Sequence, residues 1–297
     1  MPQRTICIQN PALLSVKNSS LAIEQNGKLK GLIPLEDIWV LIIETHQAQV
    51  TTAALSRMVD AGIGVMFCGR DHMPNGLLLP IGAHSRHAAI VEDQLAISKP
   101  LQKRLWQRIV QAKIQNQATA LALTGKDATK IAAIAKDVLS GDTSNRESVA
   151  ASAYFKAILP LGTRREGPYS YALDYGYTVL RAGIGRTAVA GGWLVSRGLH
   201  HSNNLNAFNL VDDLIEPFRP VVDLLVVQNG LYGDLTPDVR KTLASIFEYE
   251  VRVAGQTLSV QTAIEAELDS LKTAVLGGDP KLLQLPGVLP LKQVSYE

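Results

Sequence analysis

Cysteine is nearly missing from this 297-residue chain: it has only Cys7 and Cys68. A secreted chain of this size more often carries a disulfide framework, so a reducing compartment is expected. Two lone cysteines also give no metal-pair spacing. No stretch approaches the ~20 consecutive apolar residues of a membrane helix. Met1-Pro2-Gln3-Arg4-Thr5 leads into a short strand-like run without a long apolar region, so no signal peptide is expected. These absences predict a soluble, cytoplasmic chain with no membrane partner. The phosphate loop GxxxxGK[ST], the GxSxG elbow and HExxH are all missing. Gly183-Ile184-Gly185-Arg186 does not complete GxGxxG.

Apolar residues make up 46% of the chain, enough for a sizeable core, so whole-chain disorder is excluded. The net charge of +2 lacks the basic surplus usual for nucleic-acid proteins. Its distribution is uneven. Residues 1–80 are neutral, residues 81–220 carry 17 basic and 11 acidic side chains, and residues 221–297 carry six basic and 10 acidic. A basic middle attracts phosphate and an acidic tail suits a basic partner, although scattered solvated charges give the same counts.

The first 80 residues read as strands over 5–9, 21–25, 28–34, 37–44 and 63–68, with one more at 76–82. Asn26-Gly27 between two of them is a hairpin signal. Residues 51–61 have helical spacing, and Gly62 stops them. After Gly82 helices dominate: 101–123, Asp127 to 139, 145–159, 175–197, 220–228, 236–254 and 262–276. The last 20 residues read as irregular. Strands followed by helices predict an α+β chain. The expected division is a small β-rich domain over 1–82, a linker over 83–95 and a larger all-α domain over 96–297.

Three clusters in the helical part carry candidate chemistry. Glu147 lies in Ser144-Asn145-Arg146-Glu147, which is also a capping-box pattern. His200-His201 precedes the polar Ser202-Asn203-Asn204, and surface hydrogen bonding competes with metal ligation there. Asp212, Asp213 and Glu216 put two carboxylates on one side of a helical turn, a pairing that needs a cation such as Arg219 or a divalent ion. The bland reading is an acid-rich first helical turn. Glu147, His201 and Glu216 together offer two hard oxygens and one imidazole, a set that suits Mg²⁺ or Mn²⁺ rather than structural zinc. Arg164, Arg165, Arg181, Arg186 and Arg197 are available for phosphates, or for solubility. His72 reads as a turn histidine beside Asp71 and Asn75.

These segments resemble the CRISPR-associated protein 1 family, most closely its members from type II systems. The resemblance runs over about residues 5–255. Ile33-Pro34-Leu35-Glu36-Asp37-Ile38, Ile42-Ile43-Glu44-Thr45 and Gly64-Val65-Met66-Phe67-Cys68 resemble the family's β-domain. Four later segments resemble its catalytic domain, in order and at compatible spacing. They are Glu147 with Tyr154-Phe155, then Leu173-Asp174-Tyr175-Gly176-Tyr177-Thr178-Val179-Leu180-Arg181-Ala182, then Gly198-Leu199-His200-His201, and finally Asp212 to Pro220. Asp174 and Ser170 depart from the pattern, which usually has Asn there.

The resemblance implies a DNA integrase and endonuclease of CRISPR adaptation, with Mg²⁺ or Mn²⁺ on Glu147, His201 and Glu216 and with Asp213 as a further acid. It places the ligand at His201, next to the polar loop, rather than at His200. It implies double-stranded DNA as partner (a captured fragment and the repeat), a homodimer, a complex with the second CRISPR adaptation protein, and contact with other type II CRISPR proteins. The rival expectations are a non-catalytic DNA-binding scaffold and a general metal-dependent nuclease.

Overall fold

A computed structural model describes residues 4–80, 84–161 and 163–294. The chain forms two compact units, and the division falls between Ser85 and Arg86.

The first unit contains β1 (Arg4–Ile8), β2 (Leu13–Lys17), β3 (Ser20–Gln25), β4 (Lys28–Pro34), β5 (Ile38–Ile43), β6 (Gln49–Val50), α1 (Thr52–Asp60), β7 (Gly64–Cys68) and β8 (Pro74–Leu78). One sheet has the order β4-β3-β2-β6 and the other β1-β5-β7-β8. Asn26 and Gly27 turn the β3–β4 hairpin at positive φ (51° and 71°), as the sequence pattern demands. β5 is buried along its whole length and lies parallel to both β1 and β7, which explains its unbroken apolar run. Its Ile38 and Leu41 share a core with Leu14, Leu21 and Met58. β2 has no counterpart among the expected strands. The expected strand over 76–82 is observed as Pro74–Leu78, and residues 81 and 82 lie outside the described residues. His72 occupies a turn at φ 62°.

The second unit contains α2 (His87–Leu95), α3 (Lys99–Leu123), α4 (Thr129–Lys136), α5 (Arg146–Ile158), α6 (Ser170–Ala190), α7 (Asn209–Leu214), α8 (Arg219–Gln228), α9 (Pro237–Ala244), β9 (Tyr249–Val253), β10 (Gln256–Ser259), α10 (Val260–Gly277) and β11 (Gly287–Gln293). Ser98 caps α3 by accepting from Leu101 N, and Pro100 occupies its first turn. α3 packs against α4, α5, α8 and β11 and forms the axis of the unit.

Two expectations are corrected here. The segment 83–95 is not a simple linker, because α2 docks into the second unit. His87 Nδ1 lies 2.9 Å from the Gly192 carbonyl, and Gln94 donates to the carbonyls of Leu194 (3.1 Å) and Arg197 (2.7 Å). The second unit is also not all-α, since β10-β9-β11 form an antiparallel sheet. Residues 249–253 were expected to be helical, but Val251 and Val253 alternate inward with Arg252 outward, and Ala254-Gly255 turns at positive φ. The tail is irregular only as far as β11, whose residues pair with β9.

Candidate active site

Glu147 stands in the first turn of α5, but its carboxylate does not cap that helix. Asp142 does: Oδ1 accepts from Arg146 N at 2.8 Å and Oδ2 from Glu147 N at 3.0 Å. The capping-box reading therefore fails, and the Glu147 side chain is free to reach elsewhere. Its Oε1 lies 2.5 Å from Lys113 Nζ, on α3.

Glu216 occupies the turn between α7 and α8, where Pro217 and Pro220 punctuate the chain. It is 5% exposed. Oε2 lies 2.5 Å from Lys113 Nζ, and Oε1 accepts from Arg219 Nε at 3.0 Å. Oε2 has no hydrogen-bond partner of good geometry, so its contact with Lys113 is an ion pair. Burial pushes the Glu216 carboxyl up, but Arg219, Lys113 and then His201 outweigh it and hold it at about 2. Burial likewise pulls the Lys113 ammonium down, but Glu216 and Glu147 raise it above its ordinary value. Lys113 was not singled out from sequence. The available signal was a lysine on the apolar stripe of α3, in register with Trp106, Ile109 and Val110.

His201 lies in the loop between α6 and α7. Its Nδ1 is 2.7 Å from Asp213 Oδ1, and that hydrogen bond, opposed by burial, raises the imidazole above its usual value. Asp213 is fully buried and accepts the backbone N–H groups of Leu199, His200 and His201 at 2.6, 3.0 and 3.1 Å. It thus stands behind His201 and builds the loop that carries it. This is the arrangement that leaves Nε2 for a ligand. Gly198 permits the loop: a Cβ there would lie 2.4 Å from the His201 carbonyl and 2.6 Å from Asp213 Oδ2. The His200 ring is stacked flat on Trp106 at 4.3 Å.

A recess of about 330 Å³ opens beside these groups, lined by Arg164, Asp174, Tyr177, Arg181, His201, Asp212, Glu216 and Arg219 among others. Arg164 pairs with Asp174 (2.6 Å) and Arg181 with Asp212 (2.6 Å). Arg164 and Arg219 both lie over the Tyr177 ring. Tyr177 and Tyr154 donate to Asp223, a fully buried carboxyl that burial raises to about 6. Of the other arginines, Arg197 lines a neighbouring recess with His200 and His201, Arg165 is exposed, and the partly buried Arg186 feels Glu265 of α10.

Among the described residues, no three His, Cys, Asp or Glu side chains are gathered closely enough to hold a metal ion. The donor chemistry nevertheless fits a hard divalent cation. Two carboxylates already converge on one cationic centre, and an imidazole held through Nδ1 stands next to Glu216.

The family model described as CRISPR associated protein Cas1 matches residues 6–239. A CRISPR-associated endonuclease Cas1 from Neisseria meningitidis serogroup C is 40% identical over 305 residues, covering 100% of both chains. Among solved structures, a casposase bound to integration product superposes with a TM-score of 0.75 at 17% identity, over 94% of this chain and 92% of the other. A Cas6-RT-Cas1–Cas2 complex also gives 0.75, at 15% identity over 97% of this chain and 36% of the other. The chain belongs to the Cas1 family. Its α+β architecture, a β-rich unit followed by a mainly helical one, agrees with those neighbours. No helix among the described residues is long and apolar enough to cross a membrane.

Proposed function

We propose that this chain is a metal-dependent DNA integrase and endonuclease of CRISPR adaptation that works in the cytoplasm. The observation that carries the reading is the meeting of Glu147 and Glu216 around a single cation, beside His201 and an arginine-lined recess. In the reaction, the 3′-hydroxyl oxygen of a short captured duplex attacks the phosphorus of a phosphodiester at a repeat end. A new P–O bond joins fragment to repeat and the bond to the repeat's 3′-oxygen breaks. The proton lost by the attacking hydroxyl is balanced by one gained at the leaving oxygen. Mg²⁺ or Mn²⁺ held by Glu147, His201 and Glu216 would supply positive charge for the hydroxyl and the phosphate.

Asp213 holds the His201 ring in one tautomer and orientation. Arg164, Arg181 and Arg219 line the recess beside these groups and would offset the negative charge that grows on the non-bridging oxygens. The basic residues of the middle segment hold the backbone with little base readout. Joining both repeat ends takes two active sites at a fixed spacing, which a symmetric homodimer supplies. The second adaptation protein, Cas2, bridges such dimers in this reading, and a Cas1–Cas2 complex among the structural neighbours supports it.

The test mixes the protein with its Cas2 partner, Mn²⁺, a short duplex and a repeat-bearing plasmid. Glu147→Ala, His201→Ala and Glu216→Ala each reduce strand transfer at least 100-fold while duplex binding persists. Unchanged transfer in any one removes that residue from the ligand set. A 3′-deoxy end abolishes integration, whereas a purely hydrolytic nuclease is indifferent to it, and a scaffold never nicks.

A further inference from the structure

Lys113 is the side chain of this site that no sequence motif contains. It rises from the middle of α3, its side chain is 8% exposed, and its ammonium is 2.5 Å from Glu147 Oε1 and 2.5 Å from Glu216 Oε2. α5 and the α7–α8 turn are thereby joined by one charge. A Mg²⁺ ion demands oxygens at about 2.1 Å in near-octahedral array. The space between these two carboxylates holds one cation, and an ammonium beside a divalent ion is strongly repelled. Arg219 already satisfies the other oxygen of Glu216. The metal-free site is therefore charge-complete without any metal.

We propose that Lys113 is a tethered counter-ion that competes with the divalent cation for Glu147 and Glu216, so that metal loading requires its ammonium to leave the position between them. The proposal rests on the metal-site reading above. It assigns Lys113 a positioning role. In the metal-free protein it keeps the two ligands facing one another, where their like charges would otherwise drive them apart. The same contact makes metal binding weaker than two carboxylates and an imidazole would give alone, because each metal–oxygen contact is gained at the expense of an ammonium contact. The open position of the site is filled from within the chain until a divalent ion displaces it.

The experiment measures Mn²⁺ binding to the full chain by electron paramagnetic resonance of the free ion, alongside thermal unfolding in chelator and in 1 mM Mn²⁺. Lys113→Gln, and Lys113→Met as a volume-conserving second variant, are compared with the natural protein. The expected result is Mn²⁺ affinity at least ten-fold tighter in both variants. Their unfolding midpoints should fall in chelator and recover with Mn²⁺, because a ligand stabilises the state that binds it. Variants that fold only when Mn²⁺ is supplied also support the proposal. Affinity equal to or weaker than that of the natural protein overturns it, as do variants unfolded even with Mn²⁺. Glu216→Gln, made alone and with Lys113→Gln, separates this from failure of the underlying reading. If the natural protein binds Mn²⁺ and Glu216→Gln does not, the metal site stands whatever Lys113 does. If no form binds Mn²⁺, both fall.

Discussion

Four buried carboxyls of the helical unit, Asp213, Glu216, Asp223 and Glu267, sit in different surroundings, and those surroundings decide their chemistry. Glu216 has two cations and stays ionised, with a value of about 2. Asp213 has three backbone N–H groups and an imidazole. Asp223 has two tyrosine hydroxyls, and burial raises it to about 6. Glu267, on α10, is completely buried with no hydrogen-bond partner for either oxygen, and burial raises it well above the ordinary value. An acid raised in the folded state contributes most stability below its unfolded value and loses it as pH rises toward the folded one. Stability should therefore decline from about pH 4.5 upward at this group, because the unfolded chain releases a proton that the folded chain keeps. Glu267→Gln, which cannot ionise, flattens that decline and raises the unfolding midpoint at pH 8 relative to the natural chain. Parallel pH–stability curves for the two proteins would contradict this. The acid was legible in the sequence but its isolation was not, since nothing nearby in the chain tells which helices surround it.

At the scale of elements, α6 and α8 come close together at Gly176. A Cβ there would lie 2.5 Å from Cγ1 of the fully buried Val222. Gly176→Ala overpacks this crossing and costs about 1–3 kcal/mol, seen as a lower unfolding midpoint. Val222→Ala makes room for the new methyl, so the double variant loses less than the two single losses added together. Simple additivity would place the strain elsewhere. Gly176 belongs to the Asp174-Tyr175-Gly176-Tyr177 segment that stood out in the sequence, and its helical assignment follows from composition. The partner helix does not, because Val222 lies 46 residues away in the chain. β9 shows the opposite failure. Its alternation was readable locally, but the flanking helical stretch 237–244 masked the change of period.

For the whole molecule, a net charge of +2 averages a neutral start, a basic middle and an acidic end. Binding carried by backbone contacts weakens with salt, the logarithm of affinity falling by about 0.9 per phosphate contact for each tenfold rise in salt. Arg165 and Arg197 are exposed, whereas Arg186 is partly buried and faces the charge of Glu265. Arg165→Ala and Arg197→Ala should each reduce the salt slope of duplex binding by about 0.9, and Arg186→Ala should leave it unchanged, as read by fluorescence anisotropy. A slope altered by Arg186→Ala and not by the other two would reverse the assignment of the DNA face.

The order of strands before helices, the hairpin at Asn26-Gly27 and the segments bearing Glu147, His201 and Glu216 were all determined by the sequence alone. Each depends on residues close together in the chain, where periodicity, turn chemistry and local motif act directly. Only the tertiary structure decided that Asp142 rather than Glu147 caps α5, that Asp213 stands behind His201, and that Lys113 joins Glu147 to Glu216. The physical reason is distance along the chain. Lys113 precedes its partners by 34 and 103 residues, and only the packing of α3 against α5 and α8 brings one ammonium between two carboxylates.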